Sequence, residues 1–261
     1  MKIATFNCNS VRQRQDIILD WLAEFEPDVL SLQEIKCVDE QFPREPFEEN
    51  GWHVESFGQK SYNGVALISR QPLTQVQRGL GLFQPTEREC DRRVIAATLS
   101  GVRVINTYVP NGTRVGTDKW VYKLAWLERF REFLAAEMAR FPNIVWMGDI
   151  NIAPTPDDVY EPARHLGGVG HHPEEFVRLS SILELGLTDL FRHLTPGPGH
   201  YTYWDFFLPN AVKRGLGWRI DTLYGTAPML ARLEECTIDV APRLLVKPSD
   251  HTFVLGTFLD N

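Results

Sequence analysis

Two apolar, β-branched runs, Val94–Leu99 and Val102–Tyr108, are separated only by Ser100-Gly101. A parallel strand pair needs a crossover of roughly a dozen residues or more, whereas two residues suffice to close a hairpin. The sheet holding these runs therefore has antiparallel neighbours, which excludes a purely parallel α/β architecture. Further runs with strand composition cover residues 2–6, 29–32, 64–69, 144–147, 219–224, 235–240 and 252–258, together with His53–Phe57. Three helical patterns lie among them. Val11–Phe25 places Ile17, Ile18, Trp21, Leu22 and Phe25 on one face. Residues 118–141 repeat Trp120, Leu124, Leu127, Leu134 and Met138, and residues 173–185 stop at Gly186, a suitable helix C-terminus. The mixture predicts an α/β fold with mixed or largely antiparallel sheets. Neither Gly-x-Gly-x-x-Gly nor a Walker loop occurs, so a nucleotide-binding Rossmann or P-loop sheet is not expected. No composition shift marks a linker, and one domain over residues 1–261 is the expectation. Residues 153–172, rich in proline and glycine, read as an irregular surface loop, a kind of segment that often carries function.

Composition narrows the class further. The chain is 43% hydrophobic and 11% aromatic, which suits a packed core. No apolar run is long enough for a membrane span and the first residues do not resemble an export signal, so a cytoplasmic protein is expected, a monomer by default. Cys8, Cys37, Cys90 and Cys236 are scattered, which reads as buried free thiols rather than a zinc site or a disulfide framework. The formal net charge of -7, taken alone, weighs against a nucleic-acid partner, because phosphate binding depends on a positive footprint. Arg88, Arg92 and Arg93, and separately Lys213, Arg214 and Arg219, leave open either a local basic patch or an ordinary solvated face.

Polar residues recur at the ends of the predicted strands: Asn7 after the first, Gln33-Glu34 after the second, Tyr108 before the Asn111-Gly112 turn, Asp149 and Asn151 after 144–147, and Asp250-His251 before the last. Asp221 falls among the apolar neighbours of a strand and needs a partner if buried. A histidine serves well, because an aspartate accepting from the ring sets its tautomer and favours the imidazolium; Asp221 with His251 is a plausible dyad. Carboxylates and carboxamides without cysteine suit a hard cation that retains several waters, with Glu34 and Asn7 as candidates. Phosphate-ester hydrolysis needs this equipment: cationic charge on the phosphate and a carboxylate to position water.

The ordered set resembles exonuclease III and the apurinic/apyrimidinic endonucleases, within the endonuclease/exonuclease/phosphatase superfamily. The matching blocks run nearly end to end: "LQEIK", "GQKSYNGVALISR", "DRRVIAA", "NTYVPNG", "GDINIAP", "LGLTDLFR", "YTYWDF", "GWRID" and "PSDH". The resemblance implies a four-layer α/β sandwich, two mixed, mostly antiparallel β-sheets packed face to face with helices outside. It implies that Glu34 holds Mg²⁺, Mn²⁺ being a possible substitute, with Asn7 and Asp250 assisting. It also implies that Asp149 positions or deprotonates water, that Asn151 orients it, that His251 held by Asp221 stabilises the phosphate, and that Tyr108 donates to a phosphate oxygen. Tyr203, Trp204 and Trp218 become candidates for a pocket that accepts a base-less sugar. The implied activity is a DNA-repair phosphodiesterase on double-stranded DNA, cutting 5′ to abasic sites, trimming 3′ ends, or both. A 3′-specific exonuclease/phosphatase, a phosphatase or lipid-type phosphodiesterase of the same superfamily, and an inactive DNA-binding member are the alternatives. The sequence departs from the family pattern in "ARHLGGVGHHPEE", where His165, His171 and His172 replace asparagines and small residues. These imidazoles either narrow the sugar pocket and shift activity toward 3′ ends, or are simply exposed.

Overall fold

The computed structural model describes residues 1–81 and 92–260; Arg88 and Cys90 lie outside the described residues. Twelve strands occur among them: β1 (Lys2–Asn7), β2 (Val29–Gln33), β3 (His53–Phe57), β4 (Val65–Ser69), β5 (Thr74–Arg78), β6 (Val94–Leu99), β7 (Val102–Tyr108), β8 (Ile144–Asp149), β9 (Leu187–Asp189), β10 (Asp221–Thr226), β11 (Leu233–Asp239) and β12 (Phe253–Phe258). They form two six-stranded sheets, ordered β11-β12-β1-β2-β4-β3 and β5-β6-β7-β8-β10-β9. The Ser100-Gly101 hairpin joins β6 to β7 as expected. Each sheet has one parallel pair, β1 with β2 and β7 with β8, and each pair is joined by a crossover containing a long helix, Val11–Phe25 or Asp118–Met138.

The two-residue period of a strand decides what each face meets. Ile3, Val29, Val104 and Val145 share the apolar cluster between the sheets. Their neighbours Ala4, Leu30 and Leu32 pack with Ile18, Trp21 and Leu22 of the first helix. On the other sheet, Ile105, Trp146 and Tyr224 pack with Leu127, Phe130 and Leu134 of the helix Asp118–Met138. The result is the four-layer sandwich, helices outside and sheets face to face. Toward one end the space between the sheets turns polar. Gln33 donates to Asn106 at 2.7 Å and to Thr5 at 3.0 Å, while Asn106 donates to the carbonyls of Leu32 and Ala66 at 2.9 Å each. Continuing that inward period by one step from Thr5 and Met147 reaches Asn7 and Asp149.

Several expectations need correction. Strand β10 begins at Asp221, because the amide of Arg219 bonds the carbonyl of Asp158 rather than a strand partner. β5 carries the polar sequence Thr74–Arg78 and sits at a sheet edge, so it lacks the apolar run that marks a strand. β9 is only three residues long. Residues 153–172 run along the surface but are not wholly irregular: they contain a 3₁₀ turn, Pro156–Asp158, and a short helix, Pro162–His165, with Asp158, Val159 and His171 buried. The described cysteines Cys8, Cys37 and Cys236 are buried free thiols, and burial pushes the Cys37 thiol up to about 11. No helix among the described residues is long and apolar enough to cross a membrane.

Candidate active site

Sheet register brings the polar strand ends together. Asn7 pairs with Gln33 across β1/β2, Tyr108 with Asp149 across β7/β8, and Asp149 with Asp221 across β8/β10. Gly148 allows the close of the second sheet: its φ is +133°, and a Cβ there would stand 2.1 Å from the Thr107 carbonyl oxygen. The remaining wall comes from the extended segment around Tyr203, which is bridged to Trp218 on one side and to His251 on the other. Ser249 fastens the Asp250-His251 turn by donating to the Asn7 carbonyl at 2.8 Å. Together these elements enclose a cleft of about 400 Å³.

Buried Asn7 is the link between the two carboxylates. Its amide donates to Glu34 Oε1 at 2.9 Å and to Asp149 Oδ2 at 2.8 Å. Glu34 and Asn151 hold left-handed backbone conformations, φ +51° and +50°, which cost energy in non-glycine residues and are found where a site over-determines them. Lys36 neutralises the other Glu34 oxygen at 2.9 Å, and also bonds Asn9, whose amide holds Asp250 at 2.9 Å. Asn151 donates its backbone N–H to Asp149 Oδ1 at 2.9 Å, and its side chain is fixed by Asn111 at 3.0 Å and the Val109 carbonyl at 2.9 Å.

Asp221 accepts from His251 Nδ1 at 2.7 Å, as the expected dyad, and the opposite ring nitrogen faces Asp149 Oδ2 at 3.8 Å. Burial alone would discharge this histidine, but the charge and hydrogen bond of Asp221 outweigh it and push the ring up to about 10. His251 is therefore an imidazolium at neutral pH. Burial also pushes the Asp149 carboxyl up to about 7, against the pull of His251 and the Asn7 hydrogen bond. Tyr108 is raised well above an ordinary phenol by burial and by the charges of Glu34 and Asp149, and so remains a donor. The cleft thus offers a carboxylate poised near neutrality, a fixed cation, a phenolic donor and two carboxamides.

Among the described residues, Glu34, Asp149 and His251 bring ligand-type atoms within 4.8 Å of one another, a cluster that could hold a divalent cation. The protonated ring of His251 is a poor ligand, which leaves an all-oxygen set suited to a hard ion. Asp250 lines the same cleft but is engaged by Asn9 and Ser249, the latter at 3.3 Å. Tyr203 and Trp218 line the cleft as expected. Trp204 does not: it is buried with Tyr201 and Ala211 in a separate core cluster. Successive side chains of an extended segment point to opposite sides, so Tyr203 and Trp204 do not share a face. The sequence reading had not put Asn9, Lys36, Asn111 or Tyr160 in the site. Asn9 and Lys36 follow strand ends by two or three residues, a spacing that carries no distinctive signal.

Of the three loop histidines, His165 lines the cleft, edge-on to Trp218 at 4.8 Å and to Tyr160 at 4.6 Å between ring centres. His171 is buried behind it, its Nδ1 2.9 Å from the Ala153 carbonyl, and His172 caps the helix Pro173–Leu183. Arg219 is not part of a surface patch either. It is buried, donating to Asp158 at 2.7 Å and Asp189 at 2.8 Å, and Arg192 joins it on Asp158 at 2.5 Å. Burial alone would raise the Asp158 carboxyl, but Arg219 holds it below the ordinary range. Such a depressed acid contributes stability that is complete above the unfolded value of about 4 and is lost as pH falls through the lower folded value. Asp158→Asn is expected to cost about 3–5 kcal/mol of unfolding free energy at pH 7, with two arginines left without their shared anion. Urea denaturation at pH 7 and at about pH 3 checks this; the gap between variant and parent should narrow at the lower pH.

The sequence model of the Endonuclease/Exonuclease/phosphatase family matches residues 4–251. The exodeoxyribonuclease III of Haemophilus influenzae is 32% identical over 270 residues, covering 99% of this chain and 100% of that protein. Among solved structures, an AP endonuclease from Archaeoglobus fulgidus superposes with a TM-score of 0.93 at 40% identity, covering 99% of both chains. A 3′ phosphatase from Neisseria bound to product DNA hairpin superposes with a TM-score of 0.95 at 38% identity, covering 100% of both.

Proposed function

The chain belongs to the endonuclease/exonuclease/phosphatase family, and from that premise we propose that it is a Mg²⁺-dependent DNA-repair phosphodiesterase acting on 3′ ends and abasic sites of duplex DNA. It is a phosphodiester-hydrolysing enzyme of the exodeoxyribonuclease III type, and its substrate is DNA. The observation that carries the reading is the Asn7 amide bridging Glu34 and Asp149, opposite a His251 ring locked by Asp221.

Glu34 and Asn7 would hold Mg²⁺, with Asp250 beside them. The bound ion would neutralise phosphate charge as the ester is cleaved. Asp149 accepts the proton of the attacking water, and Asn151 orients that water or the phosphate. The water oxygen forms the new bond to phosphorus while the bond to the leaving oxygen breaks, and the leaving oxygen takes up a proton from solvent water. His251 and the Tyr108 hydroxyl donate to the phosphate oxygens, where negative charge builds up. An adjoining cleft of about 470 Å³, lined by Arg93, Lys119 and the exposed Tyr62, supports a local basic strip for the duplex backbone despite the acidic total charge.

His165 favours 3′-end work over abasic-site cutting. Its ring stands edge-on to Trp218 and Tyr160 in the cleft that Tyr203 and Trp218 also line, and there it would compete with a flipped, base-less sugar. One labelled duplex with an internal abasic analogue and one with a recessed 3′ end, each with Mg²⁺ and with EDTA, test both parts. Expected is metal-dependent trimming of the 3′ end with weak abasic cutting, and a rise of about tenfold or more in abasic cutting for His165→Gly. No cleavage of either duplex would defeat the nuclease reading. Strong abasic cutting by the unmodified chain would defeat the role given to His165.

A further inference from the structure

Two buried ion pairs tie the helix Asp118–Met138 to the rest of the molecule. At the end remote from the cleft, Arg103 of β7 meets Glu137 at 2.5 Å. At the near end, Lys123 meets Glu175 of the helix Pro173–Leu183 at 2.5 Å, with both side chains wholly buried. An ion pair in such a place is seldom required for stability, since well-packed apolar residues anchor elements as well or better. What distinguishes the near pair is its other partners. Lys123 Nζ also donates to the carbonyl of Asn151 at 2.8 Å and to that of Asn111 at 3.2 Å, so all three of its protons are engaged. Asn151 is the residue whose left-handed backbone follows Asp149, and Asn111 is the residue whose amide holds the Asn151 side chain. The Glu175 carboxylate in turn accepts from the backbone N–H of Gly170 and of His172, both at 3.1 Å. Gly170 packs against Trp218, where a Cβ would come within 3.2 Å of the indole ring.

We propose that the Lys123–Glu175 pair is a positioning device for the reaction, holding Asn151, Asn111 and the Gly170 wall of the cleft in one arrangement. It touches no substrate; it acts through the carbonyls and amides it fixes. Removing the ammonium leaves the buried carbonyl of Asn151 unpaired, releases the part-buried carbonyl of Asn111, and frees the Asn151 backbone to relax from its left-handed conformation. Misplacement by about 1 Å at a positioning group can cost about a hundredfold in rate without unfolding anything.

The inference rests on the nuclease reading for its kinetic test, so two readouts are needed. The variant is Lys123→Met with Glu175→Gln, which removes both charges together, and the control is Arg103→Met with Glu137→Gln, which does the same at the other end of the same helix. Expected is a fall of about 100-fold in kcat for the Lys123 variant, with KM within about threefold of the parent. Amide exchange should quicken in residues 109–112 and 149–153. The control should lose comparable stability yet keep kcat within about threefold. Equal loss of kcat in both variants at matched stability, or no loss in the first, would overturn the proposal. Should the double variant not fold, Lys123→Gln with Glu175→Gln, an uncharged pair that can still hydrogen-bond, carries the same test. A fall of about tenfold in kcat at constant KM supports the role, and an unchanged kcat overturns it. If the unmodified chain cleaves no DNA, the nuclease reading fails by itself, and exchange at Asn151 and Asn111 alone decides the positioning role.

Discussion

Replacing Asp149 by asparagine is expected to lower kcat by about 10³–10⁴-fold without lowering the melting temperature of the metal-free protein. The two halves of this expectation come from one fact, the burial of the carboxyl between the sheets. As a base, Asp149 is poised near neutrality and already faces the group that would hold the phosphate, His251, across 3.8 Å. An amide of the same shape cannot take a proton from water. It also presents an N–H₂ where the carboxylate now accepts from both Asn7 and the Asn151 amide, so one of those donors loses its partner. The stability half follows from linkage. An acid whose folded value lies above its unfolded value of about 4 binds its proton more tightly when folded, so ionisation opposes folding increasingly from about pH 4 to pH 7. Asparagine carries no such charge, and the relief offsets the lost hydrogen bond. Thermal unfolding at pH 5 and pH 8, beside single-turnover kinetics, checks both halves. A variant that loses activity only because it melts early would sink the assignment of Asp149 as base.

The same burial explains what could and could not be read from the chain beforehand. These positions of the proposed site were legible because strand period and polarity conflict there: Asn7, Asp149 and Asp221 occupy inward-facing places where an apolar residue is the default. Period two also bounds the error over Trp204. Tyr203 and Trp204 cannot both face the cleft, and hydrophobicity alone does not say which one turns inward. Arg219 misled for a different reason. Beside Lys213 and Arg214 it reads as one more surface cation, whereas the acids that bury it, Asp158 and Asp189, are 61 and 30 residues away in the chain. Lys123 was invisible on the same ground. It lies three residues after Trp120, on the buried side of its helix, but a lysine on such a stripe usually carries its charge out to solvent. Glu175, on another helix, and the carbonyls of Asn151 and Asn111 keep it inside. Pairings between distant elements are set by the packing of the sheets, and a local pattern carries no record of them.

Asp221→Asn is expected to lower kcat at pH 8 by about 10–100-fold, the factor by which a ring titrating at about 6 to 7 is depleted of its cationic form. Asp221 reaches no substrate, being sealed behind the cleft wall, and its effect passes entirely through His251. The carboxylate at 2.7 Å does two things for that ring: it holds Nδ1 as the bonded nitrogen, and its charge keeps the ring protonated against the cost of burial. An asparagine can still accept at Nδ1 through its oxygen but supplies no charge. The ring then falls from about 10 toward, or below, the ordinary histidine range, with Asp149 and Asp250 as its remaining anionic neighbours. The sign is fixed by which form works. If the cationic ring neutralises the phosphate as proposed, the variant should match the parent at low pH, where protonation of Asp149 limits both, and fall away from it as pH rises past about 6 to 7, while the parent stays active until much higher pH on this limb. A pH–rate profile of the two proteins between pH 5.5 and about 9.5 separates this from simple misfolding, which would depress the whole curve without moving it. A variant profile parallel to the parent's would mean that His251 acts as a neutral donor, and the cationic role would have to be given up.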